Sequence, residues 1–115
     1  MEAVASIRNV PIAPRKARLL ADLIRGEYVD DALDQLSLVH KAASPVIMKL
    51  INSAVANMLD DSSDVDGTML YIKMIFVDEG ITRKWIRPRS RGIANRIFRR
   101  RCHIKIVVDE WSEEE

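Results

Sequence analysis

The sequence predicts an α+β fold: three helices packed on a small antiparallel three-stranded sheet, with a long protruding β-hairpin. Three observations predict it. Apolar residues recur at helical spacing in three runs between residues 14 and 60. They alternate with a period of two in segments 3–10, 68–78 and 102–109, as strands do. Finally, residues 81–108 contain no Asp or Glu yet carry 10 of the chain's 18 cations. The rest of the chain holds 8 cations and all 17 acids, so a formal charge of +1 conceals a stretch of +10 beside a remainder of −9.

Residues 3–10 (Ala-Val-Ala-Ser-Ile-Arg-Asn-Val) read as a short strand ended by Pro11 and Pro14. Pro14 suits the first turn of a helix, where a missing N–H costs nothing. That helix runs to Arg25, with Ala17, Leu20, Ala21 and Ile24 inward, and Gly26 terminates it. A second helix over 29–38 places Asp30 and Asp31 in its first turn, where they favour the helix dipole; Ala32, Leu33 and Leu36 form its apolar face. A third covers 42–60, with Pro45 near its start. Its inward stripe is Ile47, Leu50, Ala54 and Met58, widened by Ile51 and Val55.

An acidic turn follows at 60–67. In the strand over 68–78, strict alternation puts Leu70, Ile72, Met74 and Phe76 on one face and Tyr71, Lys73, Ile75 and Val77 on the other. In the strand over 102–109, Ile104, Ile106 and Val108 alternate with His103, Lys105 and Val107. The acidic tail after Asp109 is expected to fray. Strands adjacent in sequence pair antiparallel, so the basic stretch becomes the far end of one hairpin. Pro88 to Gly92 lies near its tip, and a reach of ~40 Å follows from ~12 residues per arm. One domain, 1–115, is expected, with 80–101 as an extended basic arm within it.

Composition excludes several classes of function. An apolar content of 48% supports a core, and 5% aromatic content makes that core aliphatic. The lone Cys102 rules out an internal disulfide or multi-cysteine zinc site and suits a reducing compartment. No apolar run approaches the ~20 residues of a membrane span, and no signal peptide is expected. His40 and His103 are far apart in sequence, with no nucleophile motif near either. Cys102 reads as a small packed hydrophobe, and the carboxylates of 60–66 lack the calcium-loop pattern. No Gly-rich phosphate loop is present. No catalytic residue, metal ligand or cofactor is therefore expected.

What remains is polyanion binding. A block of like charge repels itself unless a polyanion neutralises it, and nucleic acid is the usual one. Guanidinium forks grip phosphates bidentately and stack on bases. Trp85, among the cations, reads either as a stacking platform or as a packing anchor. Arg15, Lys16 and Arg18 form a second cluster. At a helix N-terminus they oppose the macrodipole by ~0.3–1 kcal/mol each, a cost that phosphate binding would explain. Three classes of function fit a basic ribbon: a structural RNA-binding protein, a free-standing module gripping duplexes with that ribbon, and an RNA-modifying enzyme. The last lacks any paired acid and base.

Specific motifs extend this reading. Ile12-Ala13-Pro14-Arg15-Lys16-Ala17-Arg18 leads into Leu23-Ile24-Arg25-Gly26; Ser53-Ala54-Val55-Ala56-Asn57 lies in the third helix; Phe76-Val77-Asp78-Glu79-Gly80 opens the hairpin; Pro88-Arg89-Ser90-Arg91-Gly92 and Cys102-His103-Ile104-Lys105-Ile106-Val107-Val108 form its tip and return. With these the chain resembles the bacterial-type large-subunit ribosomal protein L-twenty-two family over nearly its whole length. It departs from that family at Ala13, where Ser is common and a side-chain cap of ~1 kcal/mol is lost. It departs also at Trp85, Ser90 and Ile93, where the family carries Lys or Arg, Ala, and Arg.

The resemblance implies a non-enzymatic structural constituent of the large ribosomal subunit that binds 23S-type rRNA and aids subunit assembly. Its hairpin would line the nascent-peptide exit tunnel near the macrolide site. By position, Arg15, Lys16, Arg18, Arg83, Lys84, Arg96, Arg99, Arg100 and Arg101 would contact rRNA. Arg87, Pro88, Arg89, Ser90, Arg91 and Gly92 would form the tunnel tip. The implied partners are large-subunit rRNA, neighbouring ribosomal proteins and the nascent polypeptide, with no membrane and no homo-oligomer. The implied location is the cytoplasmic ribosome, with an organellar ribosome left open.

Overall fold

The computed structural model describes residues 2–61, 69–88, 90–92 and 94–111, with backbone alone at Asp61, Trp85, Arg87, Asn95, Arg96 and Ile97. Strand β1 (Glu2–Val10) is followed by helices α1 (Pro14–Ile24), α2 (Val29–Leu38) and α3 (Ala43–Asp61). Four strands complete the chain: β2 (Leu70–Glu79), β3 (Arg83–Pro88), β4 (Ala94–Arg99) and β5 (Cys102–Glu110). β5 is central in an antiparallel sheet of order β1-β5-β2, and β3 and β4 form a separate antiparallel pair. The α+β architecture expected from the sequence is the one observed.

Each helix starts and stops for a local reason. Pro14 is the first residue of α1, and Ala13 before it is extended, with no side-chain cap. Ala17, Leu20, Ala21 and Ile24 are buried at spacings of three and four. After α1, Gly26 takes a φ of 82°, a left-handed conformation that costs glycine little. Its N–H donates to the Ile72 carbonyl at 3.0 Å, and the Ile72 N–H donates back to the Glu27 carbonyl at 2.9 Å. In α3 the predicted stripe Ile47, Leu50, Ile51, Ala54 and Met58 is buried. The buried hydrophobic residues are all aliphatic or sulfur-containing among those described, as 5% aromatic content requires.

Side chains from the helices and the segment after α1 bond carbonyls on both outer strands of the sheet. On β1, the Asn57 Nδ2 of α3 donates to the Val4 carbonyl at 3.1 Å. On β2, the Arg25 Nη2 donates to the Ile75 carbonyl at 2.9 Å. Arg18 donates to the Val77 carbonyl through Nε and Nη2 at 3.2 and 3.1 Å. Arg18 on α1 and Arg25 just past its end therefore bond carbonyls two residues apart on β2, which fixes α1 along that strand.

Two sequence expectations need correction. Strict alternation along β2 does not hold, because the β2–β5 register shifts between Ile72 and Met74. A bulge places an extra residue in the strand and exchanges its faces. Leu70 and Ile72 are buried before it and Ile75 and Val77 after it, while Met74 and Phe76 are 37% and 44% exposed. The tail after Asp109 is also more ordered than expected. β5 continues to Glu110, the Trp111 N–H donates to the Met69 carbonyl at 2.8 Å, and the Trp111 ring packs edge-on to Tyr71 at 5.7 Å. Residues 112–115 and the centre of the acidic turn, 62–68, lie outside the described residues.

The hairpin is what elongates the molecule. The radius of gyration is 17.6 Å, against about 13 Å for a compact chain of this length, and the longest axis is 65 Å.

Candidate nucleic-acid interface

The outgoing path β2–β3 and the return β4–β5 form one ribbon with a joint at residues 80–82 and 100–101. The Gly80 N–H donates to the Arg101 carbonyl at 2.8 Å and holds the joint closed. A Cβ on Gly80 would lie 3.2 Å from the Arg101 carbonyl carbon and oxygen and 3.3 Å from the His103 ring. The strands meet this closely because residue 80 has no side chain. Beyond the joint, Arg83 pairs with Arg99, Lys84 with Phe98, and Pro88 with Ala94. Like charges directly opposite destabilise a two-stranded ribbon, so the Arg83–Arg99 pair calls for an external anion.

Ser90–Gly92 form the turn at the tip, with Arg91 at φ 65° and Gly92 at φ 71°. A left-handed arginine costs roughly 1–2 kcal/mol. Arg89, and the side chains of Arg87 and Arg96, lie outside the described residues.

The N-terminus of α1 lies against this joint. Two open clefts flank it. One, of about 550 Å³, is lined by Arg15, Lys16, Arg18, Glu79, Gly80, Thr82, Arg100 and Arg101 with Ala13 and Pro14. The other, of about 470 Å³, is lined by Lys16, Arg83, Phe98, Arg99, Arg100 and Arg101 with Pro11, Ile12, Ala13 and Ala42. Lys16, Arg100 and Arg101 belong to both. The two cationic clusters that sequence reading treated as separate are one surface. Seven cations line it, and Glu79 is the one acid among the lining residues.

The cations differ in their ties to the fold. Arg18 spends two donors on the Val77 carbonyl, so it anchors α1 as well as facing the cleft. Arg101 is half-buried and donates to the Asn9 carbonyl at 3.5 Å. Arg15, Lys16, Arg83, Lys84, Arg99 and Arg100 are exposed. Sequence reading passed over Phe98 and Thr82. The signal for Phe98 was an aromatic residue inside Arg96-Ile97-Phe98-Arg99-Arg100, where attention went to the charges.

Among the described residues, the histidines and the cysteine are placed as follows. The His103 Nδ1 accepts the Asn9 N–H at 3.0 Å, so this ring nitrogen is occupied in holding the β1–β5 register. His40 is exposed. Cys102 is fully buried, and burial pushes its thiol above the ordinary value, against a smaller downward pull from the Arg18 charge. Among the described residues, no group of His, Cys, Asp and Glu could hold a metal ion. Among the described residues, no helix is long and apolar enough to cross a membrane.

Comparison with known proteins agrees with the motifs. The family model described as "Ribosomal protein L22p/L17e" matches residues 5–109. The Large ribosomal subunit protein uL22 of Leptospira biflexa serovar Patoc is 46% identical over 110 residues, covering 96% of this chain and 95% of the relative. That of Lactobacillus delbrueckii subsp. bulgaricus is 46% identical over 109 residues, covering 95% and 92%. A match over nearly the whole chain, with the first-helix, third-helix and hairpin motifs in place, makes this chain a member of the ribosomal protein L22p/L17e family.

Proposed function

We propose that the chain is a structural constituent of the large ribosomal subunit that binds its RNA through the surface at the hairpin joint and along the hairpin. The observation that carries this reading is the convergence of seven cations with a single acid where α1 meets the ribbon. The family is one of structural ribosomal proteins, not enzymes. Arg15, Lys16, Arg83, Lys84, Arg96, Arg99, Arg100 and Arg101 contact rRNA phosphates, and Arg18 adds its charge while holding α1 to β2. Neutralising several phosphates at once releases counterions, which gives the binding its strength and its salt dependence. The like-charged ribbon is stabilised when RNA occupies it, so binding and ordering of the arm are coupled. Given its bacterial relatives, the protein works on the cytoplasmic ribosome beside neighbouring ribosomal proteins.

A finer reading rests on the family resemblance, and the elongated shape supports it. A ribbon on a 65 Å molecule reaches far from its globular end, which suits an arm threaded between RNA segments to line the nascent-peptide tunnel. The tip, Arg87 to Gly92, then lies near the macrolide site. Substitutions at Ser90 or Arg91 should change macrolide sensitivity more than growth; wild-type sensitivity in such strains places the tip elsewhere.

The direct test is affinity for a large-subunit rRNA fragment and for an unrelated duplex, each across a salt series. Tight binding to the rRNA alone, with a log–log slope of several units, is expected for many simultaneous phosphate contacts at a shaped site. Equal affinity for both RNAs reduces the surface to a polycation without recognition.

A further inference from the structure

We infer that the second cleft, between α1 and the start of the hairpin, is a pocket for one unstacked RNA base, with Phe98 as its stacking platform. The inference deepens the RNA-binding reading above and rests on it. Its first support is composition within the cleft. The cations Lys16, Arg83, Arg99, Arg100 and Arg101 line it with no acid. Yet the other lining residues are apolar: Pro11, Ile12, Ala13, Ala42 and Phe98. A surface that only tracks phosphates has no use for so many apolar lining residues. A base with its 5′ and 3′ phosphates needs apolar surface and cations together, and this cleft is lined by both.

The second support is Phe98 itself. It is 48% exposed in a protein whose buried core uses aliphatic side chains, so burial does not explain an aromatic ring there. It faces Lys84 across the ribbon and is followed by Arg99, Arg100 and Arg101. Phosphates held by these groups would bring the adjoining base to the ring. The volume, about 470 Å³, falls within the ~300–1,000 Å³ of small-ligand sites. Every base has a π-face, so stacking selects an unpaired nucleotide over a paired one without selecting sequence.

The test compares a single-stranded oligoadenylate of about ten nucleotides, a length suited to such grooves, with a blunt RNA duplex of equal length. Both are titrated against the full chain and its Phe98→Ala, Phe98→Leu and Phe98→Tyr variants. Phe98→Ala is expected to weaken oligoadenylate binding on the order of tenfold. Duplex affinity and the salt slope should remain as in the unaltered chain. Phe98→Leu keeps apolar packing, so it should melt as the unaltered chain does and yet lose the same affinity. Phe98→Tyr should retain it. Oligoadenylate binding that survives Phe98→Leu, or that falls equally for both RNAs, overturns the base pocket while leaving phosphate binding intact. If the unaltered chain binds neither RNA with a salt-dependent affinity, the RNA-binding reading fails, and the pocket with it.

Discussion

The ribbon from Leu70 to Glu110 contains two regions built on opposite principles. On one side of Gly80 and Arg101, β2 and β5 are held by burial: Ile72, Ile104, Ile106 and Val108 are wholly inaccessible. On the other side, the described side chains of β3 and β4 are all exposed, Ile86 reaching 72%. The backbone pairing is antiparallel throughout. The difference teaches that hydrogen-bonded pairing alone does not decide what stabilises a strand. The globular half is held by its buried core, whereas the hairpin, with arginine opposite arginine, is held by backbone pairing with its described side chains exposed.

The largest expected effect separates these regions by function. Reversing Arg99, Arg100 and Arg101 to Glu should abolish incorporation into large subunits, measured by quantifying the protein in purified particles. Loss of three phosphate contacts should also reduce the rRNA salt slope by roughly 2–3 units. The melting temperature should change little, because Arg99 and Arg100 are exposed and Arg101 makes one long bond to Asn9. Unchanged incorporation would remove the joint from the binding surface. A collapsed melting temperature would show that the two regions are not energetically separate.

A second pair of substitutions separates them by stability. Ile104→Ala leaves a cavity in the core and should cost about 2–5 kcal/mol in a urea melt. Ile86→Ala on the hairpin should stay within about 0.5 kcal/mol, as exposed substitutions do. Comparable losses at both positions would mean that the hairpin packs on something in the free protein.

Gly80→Ala probes the border. Its new Cβ would press on the Arg101 backbone, which is held in the ladder and yields less than a side chain would. A destabilisation of about 1 kcal/mol is expected. The same change should weaken rRNA binding by displacing Arg100 and Arg101 relative to α1. Full affinity in a destabilised variant would show that the cleft tolerates a shift at its root.

Much of the fold was legible because its determinants are local. Pro14, the α1 stripe and Gly26 each act within a few residues, and the structure uses each as expected. The exchange of faces along β2 was not legible, because a bulge is a property of pairing. Tyr71 to Val77 alternate well enough for either register. The charged stretch was obvious in the sequence, but its union with Arg15, Lys16 and Arg18 was not. Between 65 (Arg18 to Arg83) and 86 (Arg15 to Arg101) residues separate them, and only the placement of α1 along β2 brings them together. Arg18 shows the same limit: its sequence context advertises a phosphate contact, and the fold also assigns it to Val77.

The smallest effect tests the comparison through pH. Burial raises the Cys102 thiol above its ordinary 9.0, so the folded protein holds that proton more tightly than the unfolded chain. Stability from this group is intact below pH 9.0 and is lost as pH rises through the folded value. Lys73 shifts in the same direction. Its hydrogen bond to Glu2 comes first and the Glu2 charge next; desolvation opposes them, and Asp109 and then Tyr71 add weaker upward contributions. It therefore acts later, from its ordinary 10.5 upward. Both groups lie in the globular half. Arginine as a residue type is not deprotonated in proteins. Above pH 9.0, at temperatures where the protein remains folded, the melting temperature should fall while the arginine contribution to the rRNA salt slope holds. In Cys102→Ala the decline should begin at higher pH. An unchanged onset would mean that the thiol does not feel its burial.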